Sequence, residues 1–310
     1  MLWLLLASTI WGFSFGILKN LTNSLDPFVV NAFRVGIAAL FFLPWFLKGF
    51  IVSHQIQKKQ PQATLLPTSR RMKNLHAFFC GAIQIGLMYG PYSLAFRYIK
   101  AHEVALFTMT TPLIMSALIT LLTLFKEAHA NRLALVRLVA AAGLATVGGL
   151  IAANNDLSSP EIAVGACLVQ LSNIFFAAGL ILWTRWFDRH TETLQDLMTP
   201  FFLGAMTSSM VLCAFFAESF NKPTPEQWLS LTWLGAISSG LGFFLWNKGA
   251  LKVNETMLSV ANNIKLPIAI VISIVVFREQ ARSVPLVVGV ILITLGLKLG
   301  TYQPKTTQPH

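Results

Sequence analysis

The chain has 310 residues, 55 % of them apolar and only 11 % charged, with a formal net charge of +11. A soluble domain carries about 25 % charged residues, so this chain is short of groups to face water, and the bulk of it must face lipid. The positive charge does not imply a nucleic-acid partner, because the basic residues sit between apolar runs and form no soluble basic face.

A membrane helix needs about 20 mostly apolar residues. Ten stretches meet or nearly meet that length: 2–18, 28–47, 76–96, 104–125, 133–153, 162–183, 197–217, 229–246, 256–277 and 285–301. Length excludes strands, since a membrane strand spans only about 9–11 residues. The first run starts at Leu2 with no basic region before it, and it reads as a retained span and not a cleaved signal. Most connectors are short and polar, which makes neighbouring spans antiparallel. The longest, 49–74, is basic and contains Pro61 and Pro67; it is expected to be a mobile cytoplasmic loop. The tail 302–310 is expected to be disordered. Cys80, Cys167 and Cys213 all lie in apolar runs, and their odd number and spacing fit neither a disulfide framework nor a metal motif.

Lysine and arginine set the orientation. With a cytoplasmic amino terminus, fourteen fall on the cytoplasmic side and six on the other, while Arg34, Arg137 and Lys265 lie within spans. Both termini are therefore expected in the cytoplasm. Residues 95–127 and 247–279 share a frame offset by 152 positions: Lys100 with Lys252, Glu103 with Glu255, Leu106 with Leu258, Phe125 with Phe277, Lys126 with Arg278 and Glu127 with Glu279. The same frame pairs Gly90 with Gly242. Five spans fall in 1–153 and five in 154–301. An odd number per repeat turns the second copy upside down, the arrangement of many secondary transporters.

Several motifs resemble a known family. The opening LLLASTIWGFSFGILKN, Asp26-Pro27 followed by Arg34 in the next span, the span TTPLIMSALITLLTLFKE and the terminal VVGVILITLGLKLG are similar to EamA-type members of the drug/metabolite transporter superfamily. The likeness covers about residues 2–301. It implies an all-α integral membrane protein with ten transmembrane helices as two inverted five-helix repeats, working by alternating access around a central cavity. Within the superfamily, GLMYGPYSLAFRYIKAHEVALFT is most similar to carriers of carboxylates, amino acids and amines. One such group exchanges S-adenosylmethionine for S-adenosylhomocysteine. The chain departs from the family at 262–267, where Pro267 stands only 12 residues before Glu279 and Lys265 is an unusual residue for mid-span.

The candidate site follows from the cost of polar groups in hydrocarbon. Lys265 sits ten residues into its span, where a cation costs about 2.5–3.5 kcal/mol unless paired or wet. It is either a ligand for a substrate carboxylate or half of a structural ion pair. Asn262 and Asn263 make this the densest polar cluster in any span, and Pro267 loosens the backbone nearby. Arg34 pairs either with Asp26 or with an acid near the pore, in a structural or a substrate-binding role. Glu103 is either a proton-coupling or ammonium-binding carboxylate or an acid favoured by the helix dipole. Gln84, Asn31, Ser172 and Asn173 are expected to face protein or a cavity. Trp11, Tyr89, Phe15, Tyr92 and Trp246 are candidates to line it. No enzyme signature and no cofactor motif is present.

The resulting expectation is a secondary transporter in the bacterial inner membrane. Its cargo is expected to be a small polar metabolite, an amino acid or an amino-acid derivative such as S-adenosylmethionine. Drug or nucleotide-derivative transport is an alternative, as is a membrane enzyme or lipid-handling protein. The expected partners are the small-molecule substrate and membrane lipid, with homodimerisation left open.

Overall fold

The computed structural model describes residues 2–59, 66–124, 160–187, 194–253 and 283–300, with shorter pieces between 136 and 151 and between 258 and 278. The described residues form helices and connections, with no strand among them. The helices are α1 (Leu2–Thr22), α2 (Pro27–Lys59), α3 (Leu66–Gly81), α4 (Met88–Tyr98), α5 (Ala101–Thr108), α6 (Thr111–Leu124), α7 (Pro160–Trp186), α8 (Leu194–Phe216), α9 (Pro225–Thr232), α10 (Gly242–Ala250) and α11 (Ser283–Gly300). Two π-helical segments, Ala82–Leu87 and Trp233–Leu241, join α3 to α4 and α9 to α10.

Six helical stretches are long and apolar enough to cross a membrane: Leu2–Thr22, Pro27–Lys48, Ala101–Leu122, Pro160–Trp186, Leu194–Phe216 and Pro225–Ala250. Leu40, Phe215, Leu229 and Val275 stand outward and exposed, an apolar exterior that only lipid would cover. This is a multi-pass membrane protein. The fifth and ninth expected spans fall largely outside the described residues, as does the tail 302–310.

One expectation is corrected. Residues 60–65 lie outside the described residues, while 49–59 continue α2 as helix and 66–74 belong to α3. Low hydropathy there does not mean low helicity: the run Gln55–Lys59 is made largely of good helix formers. Pro67 falls in the first turn of α3, where a missing N–H costs little.

The helix starts are chemically defined. Asp26 Oδ1 accepts the N–H of Phe28 at 2.9 Å, and Pro27 occupies the first helical position. Thr224 and Gln227 form a reciprocal capping box at α9, where Pro225 takes the first helical position as Pro27 does in α2. The second oxygen of Asp26 accepts from Arg97 Nη2 and from the Glu218 N–H, both at 3.2 Å. An Asp26–Arg34 pair, one of the two alternatives for Arg34, is not among the ion pairs of the described residues. Asp26 ties the start of α2 to the end of α4 and to the segment after α8. Asp26→Ala is expected to cost about 1–3 kcal/mol, since capping alone is worth about 0.5–2 kcal/mol. Asp26→Asn keeps the cap, so thermal unfolding in detergent should show the smaller shift for Asn.

The core has two apolar clusters. One gathers Trp11, Phe42, Phe176, Trp183, Phe202 and Trp246; the other gathers Phe15, Leu18, Phe96, Leu106, Phe107 and Leu234. α8 lies against both α2 and α3. The α3–α8 approach is close enough to need glycine on both sides. A Cβ on Gly81 would stand 1.7 Å from the Phe201 carbonyl oxygen, and one on Gly204 would stand 1.9 Å from that of Phe78.

Candidate functional site

Between the two clusters lies a cavity of about 60 Å³, room for a few water molecules. Its walls come from α1 (Trp11, Ser14, Phe15), α2 (Arg34), α4 (Met88, Tyr89, Tyr92), α5 and α6 (Thr108, Thr111), α7 (Ser172, Asn173, Phe176) and α10 (Phe243). Six of the thirteen lining residues are aromatic. The polar groups are concentrated at two places.

The first is Arg34, which is buried. Its Nε donates to Ser239 Oγ at 2.6 Å and its Nη2 to Ser238 Oγ at 3.1 Å. The guanidinium carbon stands 4.1 Å from the centre of the Tyr89 ring, a cation–π contact. The Tyr89 hydroxyl is 2.9 Å from the same Ser239 oxygen. The two serines lie in the π-helical segment Trp233–Leu241, whose backbone also supplies the Ser238 carbonyl to the Trp11 indole N–H at 2.9 Å. π-helical turns concentrate at functional sites because they disturb the regular ladder. Asn31 then fixes α4 to α2: its Nδ2 donates to the Tyr89 carbonyl and its Oδ1 accepts from Ser93, each at 2.8 Å.

The Nη1 of Arg34 is buried and has no hydrogen-bond partner among the described residues. Both ion pairs among those residues belong to Arg97. An unneutralised cation in a low-dielectric interior is costly. Arg34 is thus held on three sides, by two hydroxyls and a ring, with one nitrogen left in an aromatic cavity. The guanidinium fork matches a carboxylate.

The second polar place is the break between α5 and α6 at Met109 and Thr110. Pro112 has no N–H to give to the Thr108 carbonyl four residues back. The Thr111 hydroxyl compensates, standing 2.7 Å from that carbonyl and 2.9 Å from Asn173 Oδ1. Asn173 Nδ2 donates to the Phe107 carbonyl at 3.1 Å, and Thr110 donates to Gln170 Oε1 at 2.6 Å. Amides of α7 therefore satisfy an interrupted helix, and the hydroxyl of Thr111 stays at the cavity wall with one proton between two acceptors.

Of the residues singled out in the sequence, Arg34, Trp11 and Tyr89 line the cavity together with Phe15, Tyr92, Ser172 and Asn173. Glu103 is not among the lining residues; its carboxylate accepts the Lys100 N–H at 2.7 Å at the start of α5, as a helix-dipole acid would. Lys265, Asn262 and Asn263 lie outside the described residues. Their neighbour Ala261 is buried and its carbonyl accepts from Ser8 at 2.7 Å, one turn of α1 before Trp11. Ser238, Ser239, Thr108, Phe176 and Phe243 were not foreseen. The signal for the serine pair was there: two adjacent hydroxyls in an apolar span, between Gly235 and Gly240.

A family model described as the EamA-like transporter family matches residues 1–150 and 163–301. The chain belongs to the EamA-like transporter family. Proteins named biotin transporter are similar over nearly their whole length. That of Salmonella typhimurium is 29 % identical over 311 residues, covering 98 % of this chain and 95 % of the relative. That of Escherichia coli strain K12 is 28 % identical over 298 residues, covering 95 % and 90 %. A protein of Pseudomonas aeruginosa named probable biotin transporter is 29 % identical over 304 residues, covering 96 % of each. A solved crystal structure superposes with a TM-score of 0.61 at 16 % identity, covering 96 % of this chain and 95 % of that one, a likeness of fold. Membership makes this chain a secondary transporter of a small metabolite.

Proposed function

We propose that this transporter carries biotin, with Arg34 as the anchor for its carboxylate and the aromatic walls packed against its apolar body. The observation that carries the reading is the unpartnered Nη1 of a buried arginine in an aromatic cavity. The names of the similar proteins in three bacteria point to the same cargo. Biotin combines one carboxylate, an aliphatic chain and a fused bicycle, which suits one cation among rings. The cavity as it stands admits only a few waters, so cargo entry requires the aromatic side chains to part.

Transport works by alternating access between an amino-terminal half, 1–153, and a carboxy-terminal half, 154–301, with the amino terminus on the cytoplasmic side of the inner membrane. Support comes from the two π-helical segments: the 152-residue frame carries Ala82–Leu87 onto 234–239, inside Trp233–Leu241. Asn262, Asn263 and Lys265 are assigned to the cargo site as well, on the density of polar groups they bring to an apolar span.

An amino acid or S-adenosylmethionine also offers a carboxylate to Arg34, and competition separates these cargoes from biotin. In proteoliposomes, labelled biotin is expected to enter saturably and to be displaced by unlabelled biotin but not by amino acids or S-adenosylmethionine. Absence of saturable biotin entry, with entry of one of the others, would overturn this cargo.

A further inference from the structure

Gln84 and Asn247 are both fully buried, and Gln84 Nε2 donates to Asn247 Oδ1 at 3.2 Å. The rest of each amide has no hydrogen-bond partner among the described residues: Gln84 Oε1 and Asn247 Nδ2 are both unengaged, and so is the neighbouring indole N–H of Trp246. Turning both amides over exchanges their roles and still leaves one donor and one acceptor. An amide pair that served only to join helices would leave these groups desolvated without return, since buried unmet donors and acceptors destabilise a fold.

Their place relates them to the cavity. Gln84 lies in the π-helical segment Ala82–Leu87, one turn before Met88 of the cavity wall. Asn247 lies one turn beyond Phe243 of the opposite wall. Both steps lead the same way, toward the end of the bundle where Gly249 meets Leu4. The Trp246 ring is 5.1 Å from that of Trp11 and 6.1 Å from that of Phe176. Trp11 and Phe176 belong to the cavity wall that also holds Arg34.

We infer that Gln84 and Asn247 form a second polar station of the transport path, which takes an uncharged group offering N–H and C=O side by side, a cyclic urea or a secondary amide. One free acceptor and one free donor on a hydrogen-bonded amide pair are the complement of such a group. The inference rests on the carrier reading above and adds to it: Arg34 reads the charged end of the cargo and the amide station reads the neutral end. The pairing of Gln84 with Asn247 then holds the station closed until cargo replaces it.

The test uses the full chain in detergent, with 2-imidazolidinone, a cyclic urea without a carboxylate, as the probe. Binding is followed by saturation-transfer NMR in the wild type, in Gln84→Met/Asn247→Leu and in Arg34→Leu, alongside thermal unfolding. The expected result is probe binding to the wild type and to Arg34→Leu, at least about tenfold weaker binding in the double variant, and an unfolding temperature of the double variant no lower than that of the wild type. Replacing both members of an unsatisfied pair by apolar groups of similar shape removes the desolvated atoms. No probe binding to the wild type would overturn the station, as would a double variant that melts lower yet binds the probe as before. Biotin entry into proteoliposomes reports separately. Entry without urea binding sinks the station alone, whereas urea binding without entry sinks the biotin cargo and leaves the station standing.

Discussion

Arg34→Leu is expected to lower the efficiency of saturable uptake by about 100-fold, with protein that still folds. The guanidinium is the one buried cation that the described residues place in the cavity wall, and its Nη1 is free to receive an anion. Truncating one partner of a buried charge pair costs about 2–5 kcal/mol. At about 1.4 kcal/mol per factor of ten, the loss falls between roughly 30- and 4,000-fold. Arg34→Lys separates charge from geometry. A lysine keeps the positive charge but gives up the planar fork, the Ser238 and Ser239 bonds made together, and the stacking on Tyr89. Its uptake is expected to fall between those of the wild type and the leucine variant. Uptake in proteoliposomes at matched protein incorporation reads both. An Arg34→Leu protein with wild-type kinetics would remove the guanidinium from the site.

Gly81→Leu and Gly204→Leu are expected to abolish the folded protein. A side chain at either position meets the backbone carbonyl of the opposing helix, Phe201 or Phe78, and no rotamer change moves a carbonyl. α3 and α8 would have to part along their contact, opening the packing between them. Overpacking of a well-filled interior ordinarily costs about 1–3 kcal/mol. A forced separation of two backbones exceeds that and falls among the rare losses above about 4–5 kcal/mol. Gly143 provides the contrast, because a Cβ there meets nothing within 4 Å among the described residues. Gly143→Ala is expected to be neutral or to stabilise by up to about 1 kcal/mol, since alanine is the better helix former. Monodispersity after size exclusion and unfolding temperature in detergent distinguish the two classes.

The helices were legible because hydrocarbon permits little else, and the aromatic and polar residues of the cavity were legible because polar groups are rare in spans. Trp11, Arg34, Tyr89 and Asn173 all emerge from that rule. The partners of those residues were not. Asp26 and Arg34 are eight positions apart, and the sequence leaves their pairing open. The structure shows the Asp26 carboxylate already occupied by two N–H groups of α2, the Glu218 N–H and Arg97. Its actual partners lie up to 192 positions away, a separation that composition cannot reveal. Ser238 and Ser239 face Arg34 from a π-helical segment, and the period of such a segment differs from that of the helix assumed when faces are read from spacing. For Glu103 the sequence leaves two readings open, a carboxylate for chemistry and an acid at a helix start, and its bond to the Lys100 N–H belongs to the start of α5.

The most direct test compares biotin with its neutral carboxamide. The two share a skeleton and differ at the group assigned to Arg34. Equilibrium binding to the purified wild type is expected to favour the acid by at least about 30-fold, the lower bound for a buried charge pair. Binding to Arg34→Leu is expected to favour neither. A wild type that binds acid and amide alike, or an Arg34→Leu protein that keeps the preference for the acid, would contradict the assignment of Arg34 as the carboxylate anchor.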